Sequence, residues 1–595
     1  MTAMAIPCPP AMRARLIAVA EERQAPDGLI LGAQVWNAFT GEIAPGDIAL
    51  VGDRIAKVGP WTGPRDEATE IIEAADRIAM PGYIEPHTHP WPFVNPLSLG
   101  EAALCRGTTA LVYDDLQLHL AMGTERQAAI TAALSAAALP HVYWVARIAS
   151  QSRFQAEEDL FSAAAIRRLL EEPHIVGTGE MVRWTDLLDP ARSARLLDIL
   201  EMARRMGKLN DGHTAGASKR RLAALATAGI HCCHEAIDAE DALERLRQGF
   251  WVLLRHSSLR QDLPALLPFL KATHFHDRIA LTTDGTSETH IERFGYTDHL
   301  LRLTLEAGVP AHTAYRLATL NPATLLGLAD DLGAVAPGRI ADINLLTDLA
   351  TPRPERVICR GRLVAEQGRL VVPAPSATFP WKATYAGSAP VFPAWPAETF
   401  LLPADAPNPF PAAKLVNAAI TRETPAPLLA RDGGLWPAEQ DALVLAVTDR
   451  LGGWLTQGVV QNMAPGLEAI ATTYSTNGGT LVLGRSPAAM AEALARLARL
   501  DGGFAMKAVG GDWADFPLPM AGIHREGGFE SAAPAAEAFR QAFERCGYSH
   551  SDPRYSLLFL TCDMLPELRA VEAGWLRVKT ETILLPSRRM EGNAP

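Results

Sequence analysis

Residues 81–90, Pro81-Gly82-Tyr83-Ile84-Glu85-Pro86-His87-Thr88-His89-Pro90, read as a short apolar strand that ends in two histidines one residue apart. Residues i and i+2 of a strand point to the same face, so His87 and His89 can aim both imidazoles at one point. Imidazole suits zinc, iron and related divalent ions, but two ligands are too few to hold a catalytic metal. An HxH pair taken alone is as readily a solvated or core pair. The supply of donors further along the chain decides between the readings.

Outward from this stretch, strand-like and helical patterns alternate to about residue 330. Eight strand candidates are each followed by a helical stretch: Tyr83 to His89, Thr108 to Asp115, Val142 to Ala149, Ile175 to Glu180, Lys208 to His213, Gly229 to His234, Phe250 to Arg255 and Ile279 to Asp284. Eight βα units in roughly 250 residues predict a (β/α)₈ barrel whose functional residues lie at the C-terminal strand ends. Five of these strands end in metal-type side chains: His87 and His89, Glu180, His213, His234 and Asp284. Each taken singly reads equally well as a cap or a hydrogen-bonded core residue, whereas together they point to a metal site at the barrel mouth. Residues 81–334 are assigned to the barrel.

The flanks read differently. Residues 1–27 carry a helix over 11–24, and residues 28–80 break into short strands punctuated by Gly41, Pro45-Gly46 and Gly52-Asp53. Strand patterns return at 335–370 and are expected to complete a small β-sandwich domain begun before the barrel. Residues 371–412 are rich in proline, alanine and aromatics, which suggests an extended connection along the surface. A C-terminal α+β domain follows over 413–595, with strands at Ala442 to Val447 and Thr480 to Leu483, a helix at Ala488 to Leu500, and a proline-rich loop at Asp515 to Gly522 expected to form a rigid wall.

Composition narrows the function classes. The 595 residues are 48% hydrophobic and 21% charged, with no 18-residue uncharged apolar run, which sets a membrane role aside. The net charge of −12 is spread without a basic stripe, so no nucleic-acid partner is expected. Seven scattered cysteines lack CxxC spacing, and the proline-broken N-terminus lacks a secretory core. A cytoplasmic homo-oligomer acting on a small molecule is expected.

Several motifs together resemble the amidohydrolase superfamily and, within it, the adenine deaminases: PGYIEPHTH, GTGEMV around Glu180, NDGHTAG around His213, AGIHCCHE around His234, TTDG at Asp284, ATLNPATLLGL and GAVAPGRIADINLL, with PLPMAGI and the run Leu557 to Leu568 in the C-terminal region. Many amidohydrolases carry a carboxylated lysine on the fourth strand, where adenine deaminases and this chain have glutamate. The resemblance implies one metal held by His87, His89, Glu180 and Asp284 and a second by Glu180, His213 and His234. Two divalent ions are implied, manganese foremost, with iron or zinc as alternatives. It further implies that Asp284 moves the proton of the attacking water and that Glu235 protonates a ring nitrogen, converting adenine to hypoxanthine and ammonia. Two departures stand out: Ser475-Thr476-Asn477-Gly478-Gly479 replaces a His-Asp-x-His-Asn segment, and Gly285 stands where a second aspartate is common. They leave open another amino-heterocycle or a cyclic amide as substrate, and a non-catalytic scaffold is the remaining alternative.

Overall fold

The computed structural model describes residues 6–90 and 92–590. The N-terminal helix covers Pro10–Ala20 and stops short of residue 24, because Glu22 takes φ 56°, a left-handed value that a helix cannot continue through. Its Leu16 and Val19 pack on Leu29, Ala49 and Val51 of the sheet that follows.

The two segments flanking the barrel form one nine-stranded sheet. Gly28–Trp36, Ile43–Val51, Arg54–Gly59, Glu70–Glu73 and Ile78–Pro81 precede the barrel, and Ile343–Leu346, Arg356–Cys359, Arg362–Glu366 and Arg369–Leu370 come after it. They join antiparallel, Pro81 opposite Ile343 and Ile78 opposite Leu346, so the strand that enters the barrel is bonded to the first strand after it. Strand structure after the barrel begins only at Ile343. The preceding turn spends its amides on Arg54-side backbone, Gly338 N donating to Ile55 O and Ala341 N to Asp53 O.

Eight parallel strands make the barrel: β1 Tyr83–Thr88, β2 Thr108–Tyr113, β3 His141–Ala146, β4 Ile175–Met181, β5 Leu209–Gly212, β6 Cys232–Cys233, β7 Trp251–Arg255 and β8 Ile279–Thr282. All residues of β1, β2 and β4 are buried, as parallel strands covered by helices require. Among the described residues, the ladder runs unbroken from β1 to β8 but not from β8 back to β1. Side chains bridge that seam. The Glu85 carboxyl accepts from Thr283 N at 2.9 Å and lies 2.6 Å from Thr282 Oγ1, which is also 2.7 Å from the His87 carbonyl oxygen. Burial pushes Glu85 up to about 7 against the hydrogen bonds that favour its ionised form.

The connection runs along the surface, pinned by a few buried anchors. Ser376 donates its amide and hydroxyl to the two oxygens of buried Glu101, Trp381 packs into the barrel's helical layer, and Phe400 and Leu402 insert beneath the C-terminal sheet. Aromatic anchors, each burying a large apolar area, fix the ends of the extended proline-rich stretch. The C-terminal sheet has the strand order Thr421–Ala426, Phe410–Leu415, Trp454–Gln461, Ala442–Thr448, Thr480–Gly484, Leu467–Thr472, Gly503–Ala508, Trp513–Pro517. Helix Pro487–Arg499 covers it with a stripe of Met490, Ala493, Leu494 and Leu497 and is capped by Ser486. The expected proline wall begins as the edge strand Trp513–Pro517, because its amides pair with Gly503–Ala508.

Candidate metal centre at the barrel mouth

The six predicted strand-end residues meet at one end of the barrel. Donor atoms of His87, His89, Glu180 and Asp284 all lie within 4.8 Å of one another, and so do those of Glu180, His213 and His234. Glu180 belongs to both groups. Its Oε2 is 2.8 Å from His213 Nδ1 and 3.3 Å from His234 Nε2, and its Oε1 is 3.6 Å from His89 Nε2. Asp284 Oδ1 faces His87 Nε2 at 3.2 Å, His89 Nε2 at 3.3 Å and His234 Nε2 at 3.8 Å.

These spacings fit a shared cation. Bonds of about 2.0–2.2 Å put neighbouring ligand atoms about 3.0–3.4 Å apart. The buried His87 Nε2, although near Asp284, makes no aligned hydrogen bond among the described residues, and His213 Nδ1 sits only 3.2 Å from His234 Nε2. Ring nitrogens and carboxylate oxygens crowded in this way are a candidate donor set for a metal ion. Two of the rings are also oriented from behind: His89 Nδ1 meets the Asp114 carbonyl at 2.7 Å and His87 Nδ1 meets Asp211 Oδ2 at 2.9 Å, which leaves their Nε2 atoms to face the carboxylates.

Sequence reasoning missed four residues that complete the site. Asp211 is buried between His87 and the Cys232 thiol, which donates to its Oδ1 at 2.8 Å. Arg147 holds Glu180 Oε1 at 2.7 Å and pairs with Asp114, whose Oδ2 accepts from Glu180 N at 3.0 Å. Arg255 bonds Asp284 Oδ2 at 2.7 Å and also grips Glu235. Arg147 and Arg255 came from strands whose ends carry a cation rather than a metal ligand, Asp114 from the aspartate pair that closes the second strand, and Asp211 from two residues before His213 on the same face. Gly179 makes room for this network: a β-carbon there would lie 2.8 Å from Arg147 Cδ and 3.0 Å from Asp114 Oδ2.

The last strand ends in a tight turn. Asp284 and Gly285 take φ 54° and 79°, and aspartate tolerates the left-handed region better than most side chains. That conformation is the physical reason a glycine suits position 285, the position noted above as a departure from the family's common second aspartate.

Electrostatics at the mouth are dominated by neighbours. Burial would push His87 down, but Asp211, Asp284 and Glu180 reverse the shift and raise it well above its ordinary value; His89 and His213 are raised for the same reason. Burial opposes ionisation of Asp284 and Glu180, yet His234, His87 and His89 around the first and Arg147 and His213 around the second hold both well below the usual carboxylate range. Glu235, 3.5 Å from His213 Nε2, is likewise held down, to about 2, by His213 and Arg255 against burial.

Above the donors lies a cavity of about 540 Å³. The barrel supplies His89, Glu180, His213, Glu235, Arg255 and Asp284, and the C-terminal domain supplies the roof, Asn417–Ile420, Tyr555, Leu558, Phe559 and Met564. The Ser475–Gly479 segment does not line it. Ser475 Oγ turns back to Gly479 O at 2.8 Å, and Thr476 bonds Thr561, a neighbour of the lining residue Cys562.

The comparisons with known proteins agree with this geometry. The amidohydrolase family model matches residues 78–364, the barrel together with the strands on either side of it, and the model of the adenine deaminase C-terminal domain matches 418–582. The barrel and its strand-end donors define an amidohydrolase. An adenine deaminase of Methylobacterium nodulans is 33% identical over 97% of this chain and 100% of that protein, and one of Cenarchaeum symbiosum is 31% identical over 96% and 94%. A solved dihydropyrimidinase of Brevibacillus agri is 14% identical, with a TM-score of 0.46 over 58% of this chain and 97% of that one. This chain belongs to the adenine deaminase family and is a hydrolase acting on carbon–nitrogen bonds. No helix among the described residues is long and apolar enough to cross a membrane.

Proposed function

We propose that the protein hydrolyses adenine to hypoxanthine and ammonia with a pair of divalent ions, manganese foremost and iron or zinc as alternatives. The observation that carries the reading is Glu180, one carboxylate shared by two groups of histidine and aspartate donors, in a chain whose relatives are named adenine deaminases. His87, His89, Glu180 and Asp284 would hold one ion and Glu180, His213 and His234 the other. When bound, the ions would lower the pKa of water and polarise the ring position under attack.

The residues of the chain do the rest. Asp284, ionised and turned inward by its left-handed backbone, accepts the proton of the attacking water and hands it to the departing amine. Glu235, beside His213 and aimed into the cavity, is held ionised by His213 and Arg255, so it first takes a proton from solvent as the substrate enters. It then delivers that proton to the ring nitrogen next to the reacting carbon and recovers one from the new hydroxyl as the carbonyl forms. Arg255 touches both carboxylates and so fixes their separation during the transfer. Leu116, Leu558 and Phe559 give a flat heterocycle apolar walls and exclude bulk water.

A second reading, hydrolysis of another amino-heterocycle or a cyclic amide, rests on Ser475–Gly479, which offers no imidazole or carboxylate where the family segment has His-Asp-x-His-Asn and does not itself line the cavity. One experiment separates the two. Manganese-loaded protein is assayed for ammonia release from purines, pyrimidines, pterins and cyclic amides. Adenine is expected to be the best substrate, and turnover of another ring with none of adenine would replace the first reading by the second. We further propose a cytoplasmic homo-oligomer, checked by light scattering of the purified protein.

A further inference from the structure

A second histidine cluster lies outside the barrel mouth. His256 directly follows β7, and strand alternation that turns Arg255 into the cavity turns His256 the other way, toward the helices Glu288–Phe294 and Thr297–Glu306. There it meets His290 and His299. Donor nitrogens of the three rings lie within 4.8 Å of one another, and the ring centroids are 5.3, 5.4 and 6.2 Å apart.

Two of these rings are left unsatisfied. His256 is 6% exposed, and neither its Nδ1 nor the buried Nε2 of His290 makes a hydrogen bond among the described residues. A buried polar nitrogen with no partner is destabilising unless something unseen completes it. Burial pushes all three imidazoles down, His290 to about 4 and His299 to about 3, so that near neutral pH each ring is uncharged and carries a lone pair.

We propose that His256, His290 and His299 form a transition-metal site of the zinc type that clamps the two helices to the outer face of the β7–β8 wall. Three neutral imidazoles with an open fourth position are a zinc donor set, and the group as clustered contains no carboxylate to attract magnesium, calcium or manganese. Tetrahedral zinc–nitrogen bonds of about 2.0–2.1 Å place ligands about 3.4 Å apart, so the rings close inward by rotamer adjustment. One contact opposes them. Arg302 Nη2 donates to His299 Nδ1 at 2.8 Å, which fixes the tautomer and places a positive charge beside the site. That side chain is 41% exposed and already reaches Glu306 at 3.4 Å, so it can turn away. The site is independent of the reaction at the mouth and does not stand or fall with its substrate.

The test uses the full chain, stripped with a chelator, dialysed against Zn²⁺ alone and analysed for zinc per chain. His290→Gln is expected to bind one zinc fewer than the parent, and Arg302→Gln to bind that zinc more tightly because a competing cation is gone. Glu180→Ala, which disrupts the mouth, is expected to keep it. An unchanged zinc count in folded His290→Gln protein, verified by circular dichroism and melting, overturns the site. Should that variant fail to fold, zinc-edge anomalous scattering from crystals of the zinc-saturated parent decides: a peak between the three rings supports the site, and its absence refutes it.

Discussion

Two sets of buried histidines lie on opposite faces of the wall made by β7 and β8, and burial acts on both in the same direction. Their proton affinities nevertheless diverge. At the mouth, His87, His89 and His213 are raised because Asp211, Asp284, Glu180 and Glu235 surround them. Behind the wall, His256, His290 and His299 are lowered by burial, by one another and by Arg302, with Asp262 alone pulling His256 the other way. The number and closeness of carboxylates, rather than depth, decide the sign. The mouth therefore favours positive charge, whether protons or a cation, whereas the outer set can only accept an ion that tolerates neutral nitrogen.

The largest expected effect comes from removing the carboxylate shared by both groups at the mouth. Glu180→Ala should lose bound metal and all measurable deamination together, and Glu180→Lys should restore neither unless that lysine becomes carboxylated. Elemental analysis and ammonia release from one preparation check this; a fully loaded, active Glu180→Ala protein would remove Glu180 from the site.

Asp284→Asn separates holding a cation from moving a proton. The amide keeps a carbonyl oxygen for weak coordination but cannot accept the proton, so most of the metal should stay while turnover falls about 10²- to 10⁴-fold, the usual contribution of a general acid–base group. Turnover within about tenfold of the parent, outside that range, would mean another group carries the proton.

Asp211→Asn tests how far a single carboxylate makes the mouth what it is. His87 would lose the anion at 2.9 Å that orients it and raises its proton affinity, and so would move toward the behaviour of the outer rings. Metal affinity should weaken about 10- to 100-fold, as is typical when a residue supporting a metal ligand is changed. A titration with Mn²⁺ reads the shift, and unchanged affinity would show that the His87 ring is held in place without it.

The smallest effect is acid stability at the outer set. A histidine depressed in the fold stays neutral where the unfolded chain binds a proton, so stability is lost as pH falls from the ordinary value of 6.5 toward the folded value of about 4 for His290. His290→Gln should flatten the fall of melting temperature across that window. Parallel curves for parent and variant would contradict the lowered affinity.

Much of the barrel could be read from the chain because each strand is an apolar run with a polar residue at its far end, and the chemistry of the mouth is concentrated at those ends. Arg147 and Asp114 were visible as charges inside apolar runs, but a buried charge announces only that it has a partner and not which one. Asp211 obeys the same i, i+2 rule that singled out His87 and His89. The outer histidines had no such signal. They come from one strand end and two separate helices, and only packing brings them together. The proline-rich connection was legible only in part: its composition describes an exposed, extended backbone, whereas Trp381 and Phe400 fix where it is anchored.

The antiparallel pairing of Ile78–Pro81 with Ile343–Leu346 has a consequence for synthesis. The first of these strands leaves the ribosome about 260 residues ahead of its partner, an interval of tens of seconds at about 5–20 residues per second. Throughout that interval one edge of a hydrophobic strand has no native neighbour, and an open edge invites pairing with other chains. The nascent protein thus passes through a period of aggregation risk whose length is set by the size of the barrel, and a chaperone that shields this edge would act before the catalytic end of the molecule is complete.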